Sequence, residues 1–307
     1  MDTLENLRSK TEGAKDLKSV VSAMKAMAAS NIIQYETAVG SLDNYFRTIA
    51  LGIIAYFKAE KIEAITEMTL SKRKSQEVIC AIVFGSDQGL VAKFNDSMAD
   101  FVTKSLNDIP GKKQIWAVGE RVQLLLSDEG FDTTKLYEVP NDIQAVTPLV
   151  AEILTMCQEY QQKEKVNTFY IFHNQPKPSS GYTPVIQRFL PLDAKWMETL
   201  QTIQWPTKSP PQIAGGAKPT LAALINEYLF TSLFKACVES LASENASRLD
   251  AMQRAEKNIT DLLEDLGKKY HRLRQSSIDE ELFDVVSGFE ALNKVRAAPI
   301  VAIKKVD

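Results

Sequence analysis

A short loop at residues 85–89, with the sequence Gly-Ser-Asp-Gln-Gly, carries the first candidates for chemistry. It follows an apolar run typical of a buried strand and precedes a predicted helix, which is where α/β folds bind phosphate groups. The loop has neither the Gly-x-Gly-x-x-Gly pattern of dinucleotide sites nor the Gly-Lys-Ser/Thr end of a Walker loop. Ser86 and Asp87 are therefore candidate ligand-binding residues, and the alternative is a tight turn with a capping aspartate.

The other polar residues form no catalytic pattern. His173, at the end of a predicted strand, is the only histidine near the predicted sheet, and no Ser-His-Asp arrangement follows from the sequence. Two histidines and three widely separated cysteines favour structural residues and buried thiols over a metal site or a disulfide. We therefore expect no catalytic residue, no cofactor and no metal, which favours a mechanical or binding role.

Composition and charge narrow the class of protein further. The chain has 307 residues, a formal net charge of −3 and a pI of about 5.7, so it lacks the basic character typical of nucleic-acid binding. The N-terminus lacks the charged start and apolar run of a signal peptide. No uncharged apolar stretch of about 18 residues predicts a direct membrane span. We expect any link to a membrane to run through a partner.

Apolar residues at helical spacing predict a long helix at each end of the chain. From residue 221 to about 292, apolar side chains recur in steps of three and four. Residues 3 to about 60 repeat apolar or small side chains about every 3.5 residues, the period of a left-handed coiled coil. A helix of about 70 residues extends roughly 100 Å, so it must pair with another helix or enter a partner. The simplest arrangement is an antiparallel pair of the two termini, with the longer C-terminal helix projecting beyond its mate.

The middle of the chain alternates predicted strands and helices, which indicates an α/β domain with a buried sheet. Predicted strands lie at 78–84, 115–118, 135–139, 166–172 and 184–192, the last two of them antiparallel to each other. The predicted domains are an N-terminal coiled-coil helix (1–65), a Rossmann-like α/β domain (76–204), a proline-rich linker (205–219) and a C-terminal coiled-coil helix (220–307).

Several sequence blocks resemble those of a known family. They are AMKAMAAS at 23–30, GSDQGL at 85–90 followed by FN at 94–95, ESLASEN at 239–245, and RQSSI at 274–278. They are similar to the signature regions of the gamma subunit of F-type ATP synthase, and they occur in the order found in that family. The resemblance covers nearly the whole chain, and the C-terminal block is its most specific part.

The resemblance implies a fold, a function and a set of partners. The family's gamma subunit is a central rotor shaft, and its antiparallel coiled coil stands inside the catalytic hexamer of alpha and beta subunits. Its α/β domain binds the epsilon subunit and the ring of membrane c subunits. It catalyses nothing itself, and it couples ion flow through the ring to conformational cycling of the hexamer. A peripheral location on the cytoplasmic face of a bacterial cell membrane is implied as well.

The same resemblance implies which residues contact the hexamer. Met24 matches a family methionine that faces the C-terminal helix, and Arg248, Arg274 and Gln275 match a polar catch that binds hexamer loops. Asp279 stands where the family commonly has threonine, and we include it as a fifth expected contact. Charge-assisted hydrogen bonds suit contacts that form in one rotational state and break in the next.

Some positions depart from the family pattern. Residues 31–35 (NIIQY) replace a stretch that is usually rich in lysine and arginine, and Val91 stands where a cysteine is frequent. These changes resemble the divergent, alternate gamma type of a second bacterial ATPase operon, which is often linked to sodium pumping.

Two other classes of function stay open. In one, the chain is a coiled-coil scaffold with an α/β insert and an unknown partner. In the other, it is an α/β enzyme that uses Ser86 and Asp87 and carries a helical oligomerisation arm. Co-purification with a catalytic hexamer separates the rotor from the scaffold, and turnover by the isolated chain would favour the enzyme.

Overall fold

The computed structural model describes residues 3–60, 78–163, 165–177, 181–207, 209 and 216–296. Its elements in chain order are α1 (Leu4–Glu60), β1 (Val78–Phe84), α2 (Phe94–Asn107), β2 (Lys112–Val118), α3 (Glu120–Asp128), β3 (Thr133–Tyr137), α4 (Ile143–Gln162), β4 (Thr168–Pro176), β5 (Tyr182–Leu190), α5 (Ala194–Gln201) and α6 (Ala217–Arg296). Part of the predicted linker and the end of the predicted C-terminal helix lie outside the described residues, and the predicted domain boundaries stay predictions.

Five strands form one sheet in the order β3-β2-β1-β4-β5. β1 pairs in parallel with β2 and β4, and β2 pairs in parallel with β3, whereas β5 runs antiparallel to β4. β1 is apolar along its whole length because both of its faces are buried: Cys80 and Ile82 face one core, and Ala81 and Val83 face the other. The predicted α/β sheet with an antiparallel last pair of strands is confirmed.

The two faces of the sheet pack against different helices. α2 and α3 cover one face through a cluster that includes Met98, Val102 and Val122. The other face packs against α4 and against parts of α1 and α6, with Trp116 and Leu233 fully buried. Each large apolar side chain buried in this way contributes roughly 1.5–3 kcal/mol to folding, so this core anchors both long helices to the α/β domain.

The chain divides into two compact units. The first contains Met1–Ala23 and Gln253–Asp307, and the second, larger unit is Met24–Met252. The second unit holds the whole sheet together with the adjoining parts of α1 and α6. Both long helices therefore contribute to each unit, and the first consists of helix alone in its described part.

Within each unit α1 and α6 run antiparallel. In the first unit Leu7 packs in a cluster with Leu266, and the Ser22 hydroxyl donates to Glu256 at 3.0 Å. In the second, the Asn31 amide donates to Asn245 at 3.4 Å, and Lys235 pairs with Asp43 at 2.6 Å. Positions further along α1 thus meet earlier positions of α6. The predicted antiparallel pairing of the two terminal helices is confirmed.

The structure also contains features that the sequence did not predict. α5 begins after β5 with Asp193 as its N-cap, whose side chain accepts a hydrogen bond from the Trp196 N–H. α6 begins at Ala217, so Pro219 lies in its first turn, where a missing N–H leaves no bond unmade. The helix also continues through Gly267, where a β-carbon would meet no atom within 4 Å beyond the helix's own neighbouring backbone.

Part of α6 is long and apolar enough, by length and composition alone, to cross a membrane. The segment Lys218–Phe289 contains a stretch of 18 residues with this composition, and 44 % of that stretch is buried inside the protein. This is weak evidence for a span because core helices have the same composition. Leu229, Leu233 and Val238 of α6 pack in the core beside the sheet. The expectation of no direct span stays a prediction.

The end of β2 generates a stability prediction. Gly119 has a φ of +113°, and a methyl group there would lie 2.8 Å from the backbone nitrogen of Ser86. We expect Gly119→Ala to lower the free energy of unfolding by about 3 kcal/mol, because it adds backbone strain to a clash that no side chain can relieve. Urea unfolding followed by circular dichroism measures the change.

Gly40→Ala is the matched control. A methyl group at Gly40 of α1 would meet nothing within 4 Å, so this variant is expected to gain up to about 1 kcal/mol from helix propensity. An unchanged unfolding midpoint for Gly119→Ala would contradict the close approach of the two loops.

Candidate functional site

The serine of the loop at residues 85–89 is held by hydrogen bonds inside the protein. Ser86 is 0 % exposed, and its hydroxyl donates to the Gln88 carbonyl at 2.9 Å. Asn95, in the first turn of α2, accepts from the Ser86 N–H at 3.0 Å and donates to Ser86 Oγ at 2.8 Å. A buried hydroxyl with these partners is not positioned to attack a substrate. The alternative of a structural turn accounts for Ser86.

The Asp87 side chain connects, through hydrogen bonds, the loops that follow three strands. One carboxylate oxygen accepts from the Glu120 N–H at 2.9 Å, at the start of α3, and the other accepts from the Val139 N–H at 2.8 Å, just after β3. Asp87 itself follows β1, so one side chain joins the carboxyl ends of β1, β2 and β3. Because both oxygens are occupied by backbone donors, the residue acts as a cap.

The same edge of the sheet is bound to α6 through buried hydroxyl groups. Ser247 Oγ donates to the carbonyl of Val91, in the loop before α2, at 2.7 Å. Ser243 Oγ, one turn earlier on α6, donates to the carbonyl of Asn174 in β4 at 2.9 Å. Since an unpaired buried polar group costs about 1–3 kcal/mol, these bonds select the face of α6 that meets the sheet.

His173 takes part in this attachment. Its Nε2 lies 2.8 Å from Glu239 Oε2 of α6, and both side chains are buried. The Gln175 amide donates to the same carboxylate at 3.3 Å. The expected structural role of His173 is confirmed, and the carboxylate of Glu239 has the partners that a buried acid requires.

A cleft with a volume of about 340 Å³ lies beside this region, and we call it the helix–loop cleft. It is formed by α1, α6 and the loops after β1 and β3. The carboxyl ends of parallel strands are where α/β folds commonly bind ligands. Its walls combine apolar side chains with carboxylates and one guanidinium group, and they include Met24, Met27, Tyr35, Glu138, Glu244 and Arg248.

A buried ion pair forms one wall of the cleft. Arg248 Nη2 lies 2.6 Å from Glu244 Oε1, and the two side chains are 15 % and 7 % exposed. Burial raises the pKa of Glu244, and the nearby guanidinium opposes that rise. Arg248 Nε is buried and has no hydrogen-bond partner within the described part of the chain. The Arg248 guanidinium therefore pairs with Glu244, and its Nε–H group has no acceptor among the described residues.

Tyr35 of α1 is the second buried polar group of the cleft. Its side chain is buried, and burial together with the charge of Glu244 raises its pKa to about 12. The phenol is therefore protonated at neutral pH and acts as a hydrogen-bond donor or acceptor.

The five expected hexamer contacts fall in two groups. Met24 and Arg248 line the helix–loop cleft of the larger unit. Arg274, Gln275 and Asp279 lie on α6 in the other unit, with exposed side chains. Gln275 and Asp279 are one helical turn apart and share a face. The structure thus brings together two of the five, and contact of any of them with a hexamer stays a prediction.

Two cleft residues carry no signal in the sequence. Glu138 follows β3 and Tyr35 lies in the middle of α1, and nothing in the sequence predicts that the two line one cavity. The ion pair could be predicted more easily, because Glu244 and Arg248 stand four residues apart on a predicted helix.

The ion pair generates a prediction about stability and pH. Arg248→Ala leaves the buried carboxyl of Glu244 without its cation, so we expect it to lose about 3 kcal/mol of unfolding free energy at pH 7. Removing the guanidinium raises the pKa of Glu244 in the folded protein further above its value in the unfolded chain. A raised carboxyl pKa destabilises the fold as pH rises through the unfolded pKa. The deficit is therefore expected to shrink in acid, where Glu244 is protonated in both states.

Urea titrations at pH 7 and at about pH 4, near the ordinary pKa of glutamate, measure this difference. The double variant Glu244→Gln/Arg248→Ala is the control, and it is expected to recover part of the loss at pH 7. A deficit that is equal at both pH values would show that lost packing, rather than an unpaired charge, causes the instability.

Comparisons with known proteins agree with this architecture. The model of a family described as ATP synthase matches residues 3–292. A protein of Christiangramia forsetii named ATP synthase gamma chain is 26 % identical over 300 residues, covering 95 % of this chain and 100 % of its own length. A protein of the same name from an Anaeromyxobacter species is 26 % identical over 312 residues, with 95 % and 100 % coverage.

The fold is also similar to solved structures. A chain of the mitochondrial ATP synthase of Euglena gracilis aligns with a TM-score of 0.64 and 15 % identity, over 99 % of both chains. A chain from the central stalk and c-ring structure of the Tetrahymena thermophila enzyme aligns with a TM-score of 0.54 and 19 % identity, over 77 % of this chain and 99 % of the other. Since the family match spans both long helices and the sheet between them, this chain belongs to the ATP synthase gamma-chain family.

Proposed function

We propose that this chain is the central rotor shaft of a rotary ATP synthase or ATPase. It couples ion flow through a membrane ring to conformational cycling of a catalytic hexamer of alpha and beta subunits. The observation that carries the proposal is the bare end of α6, where every described side chain from Ile278 to Phe289 is exposed.

The bare end needs a partner because of its composition. Its exposed side chains include large apolar ones, and Phe283 is 73 % exposed; the others are Ile278, Leu282, Val285, Val286 and Phe289. Exposed apolar groups in such number mark an interaction surface. At about 100° per residue they form one broad apolar stripe that covers roughly 160° of the helix surface, and the polar side chains on the remaining surface are exposed as well.

The remaining partners follow from the family. The structural relatives come from assemblies described as central stalk with c-ring and as F1 with c-ring. We infer that the α/β domain of this chain binds an epsilon subunit and a ring of c subunits, while the helix pair contacts the hexamer. Met24, Arg248, Arg274, Gln275 and Asp279 are the proposed hexamer contacts.

The proposal also assigns this chain a non-catalytic role in the complex. Ser86 is buried and Asp87 is capped by backbone N–H groups, so the two residues of the enzyme alternative lack the access that chemistry needs. The scaffold alternative has no observation in its favour beyond the helix pair, which a rotor shares. We place the chain in the peripheral F1 part of the complex and, by inference, at the cytoplasmic face of a bacterial membrane. The alternate, sodium-linked subtype stays a prediction.

Co-expression with alpha and beta subunits tests the proposal directly. We expect a complex in size-exclusion chromatography that holds one copy of this chain per hexamer and whose ATPase rate differs from that of the hexamer alone. A chain that stays apart from every such hexamer would leave the scaffold as the better hypothesis.

Gln275→Ala tests the proposed catch without disturbing the fold. Its side chain is exposed on α6, so the variant should keep the stability of the unaltered chain. We expect coupled ATP synthesis in reconstituted vesicles to fall roughly fivefold to tenfold, as the loss of one hydrogen bond of about 1–1.4 kcal/mol implies.

Gln253→Ala is the matched control, because Gln253 is also an exposed glutamine of α6 and is not among the proposed contacts. Equal synthesis rates for the two variants would remove Gln275 from the catch.

A further inference from the structure

Three buried polar residues of α6 stand four positions apart on the side of the helix that meets the sheet. Glu239, Ser243 and Ser247 are 5 %, 0 % and 6 % exposed. Because residues four apart lie on one face of a helix, the three side chains form a row that extends over about 12 Å along α6. We call these three residues the polar row, and all of them belong to the larger unit.

Every residue of the polar row bonds to the α/β domain. Glu239 pairs with a histidine of β4 at 2.8 Å, and the Ser247 hydroxyl donates to the Val91 carbonyl at 2.7 Å. The Ser243 hydroxyl lies 2.9 Å from the Asn174 carbonyl in β4 and 2.8 Å from the Glu239 carbonyl in its own helix, so its proton is shared between the two. The row therefore connects α6 to two segments of the domain, which are β4 and the loop before α2.

Ser240 shows that burial on α6 does not by itself give a hydroxyl group a partner. Its side chain is buried, and its Oγ has no hydrogen-bond partner within the described part of the chain. Ser243 and Ser247 differ because carbonyl groups of the domain lie within hydrogen-bond distance of their hydroxyl groups. The bonds of the polar row therefore depend on its position opposite the sheet, and Ser240 supplies a control with the same side chain.

The two kinds of contact between α6 and the sheet differ in how they respond to rotation of the helix. Apolar residues such as Leu233 and Leu241 pack in the same core as β1 and β4. Their contribution depends on buried area and has no direction, so a small rotation changes it little. A hydrogen bond, by contrast, weakens steeply as its angle departs from linear. The polar row is thus the directional part of this interface.

We propose that the polar row is the joint that transmits torque between the α/β domain and the shaft. This role rests on the proposed rotor function, in which the domain turns with the membrane ring and the helix pair turns inside the hexamer. Glu239, Ser243 and Ser247 are positioning residues, because they hold the angle between α6 and the domain. A joint that yields under torque would let the two ends of the rotor differ in angle at each step.

Polarised single-molecule fluorescence on the assembled complex measures the stiffness of this joint. The complex is immobilised through its hexamer and stalled by removing nucleotide. One preparation carries a fluorophore at Lys104→Cys on α2, and a second carries it at Asp250→Cys on α6, just beyond the polar row. Both residues are exposed, whereas the native cysteines are buried and escape labelling. The angular variance at α2 minus that at α6 is the variance that the joint adds.

Removing hydroxyl groups of the polar row should make the joint softer. Angular variance is inversely proportional to stiffness, and directional restraints that act in parallel add their stiffness. We expect Ser247→Ala, which leaves two of the three restraints, to raise the joint's variance about 1.5-fold. The double variant Ser243→Ala/Ser247→Ala leaves one restraint, so we expect it to raise the variance about threefold.

Two controls separate stiffness from stability. Ser240→Ala removes a buried hydroxyl group that has no partner among the described residues, so it should leave the joint's variance unchanged. Val102→Ala removes apolar volume from the core on the other face of the sheet. It lowers the free energy of unfolding without touching the polar row, and it should leave the joint's variance unchanged as well.

Equal variance in Ser240→Ala and in the double variant would overturn the proposal, because apolar packing would then hold the angle. An increase in Val102→Ala as large as that in the double variant would overturn it too, since general destabilisation would account for the effect. Either result in a complex that assembles and turns contradicts the joint alone. A chain that joins no hexamer contradicts the rotor function and, with it, this role.

Discussion

Buried hydrogen bonds between α6 and the sheet are the constraint on which the rest of the structure depends. Ser243, Ser247 and Glu239 lie on the face of α6 that meets the sheet, and each would be costly to bury without a partner. Val91, Asn174 and His173 supply those partners. Apolar packing alone would allow the helix to rotate or slide by a turn, whereas these bonds permit one face and one register.

The two units use α6 in different ways because they differ in what covers it. In the larger unit the helix is flanked by the sheet, by α1 and by the loops after β1 and β3. Several of its polar side chains are therefore buried with partners, among them Glu239, Ser243 and Glu244. In the smaller unit the described side chains beyond Ile278 meet solvent. A rotor shaft requires this division, since one end must be held firmly in a domain and the other must present its whole circumference to a surrounding partner.

Much of the fold was predictable because it depends on local pattern. The run at β1 predicted a strand buried on both faces, and the long apolar repeats predicted α1 and α6 nearly to their ends. α5 was not predicted, because a helix of eight residues carries too few turns for a periodic signal. The candidate site was less predictable: the motif at 85–89 suggested a ligand loop, and the hydrogen bonds of Ser86 and Asp87 assign it to structure.

The sequence by itself determined the two terminal helices, the alternating strands and helices between them, and the family. Each depends on the order and spacing of residues along the chain. That spacing shows the period of a helix or strand whatever the element packs against in the folded protein. Only the tertiary structure decided that Glu138 and Tyr35 share a cleft with Arg248, and that Ser86 and His173 are bound in the interior. The burial and hydrogen-bond partners of a side chain depend on residues distant in sequence, and folding alone brings those together.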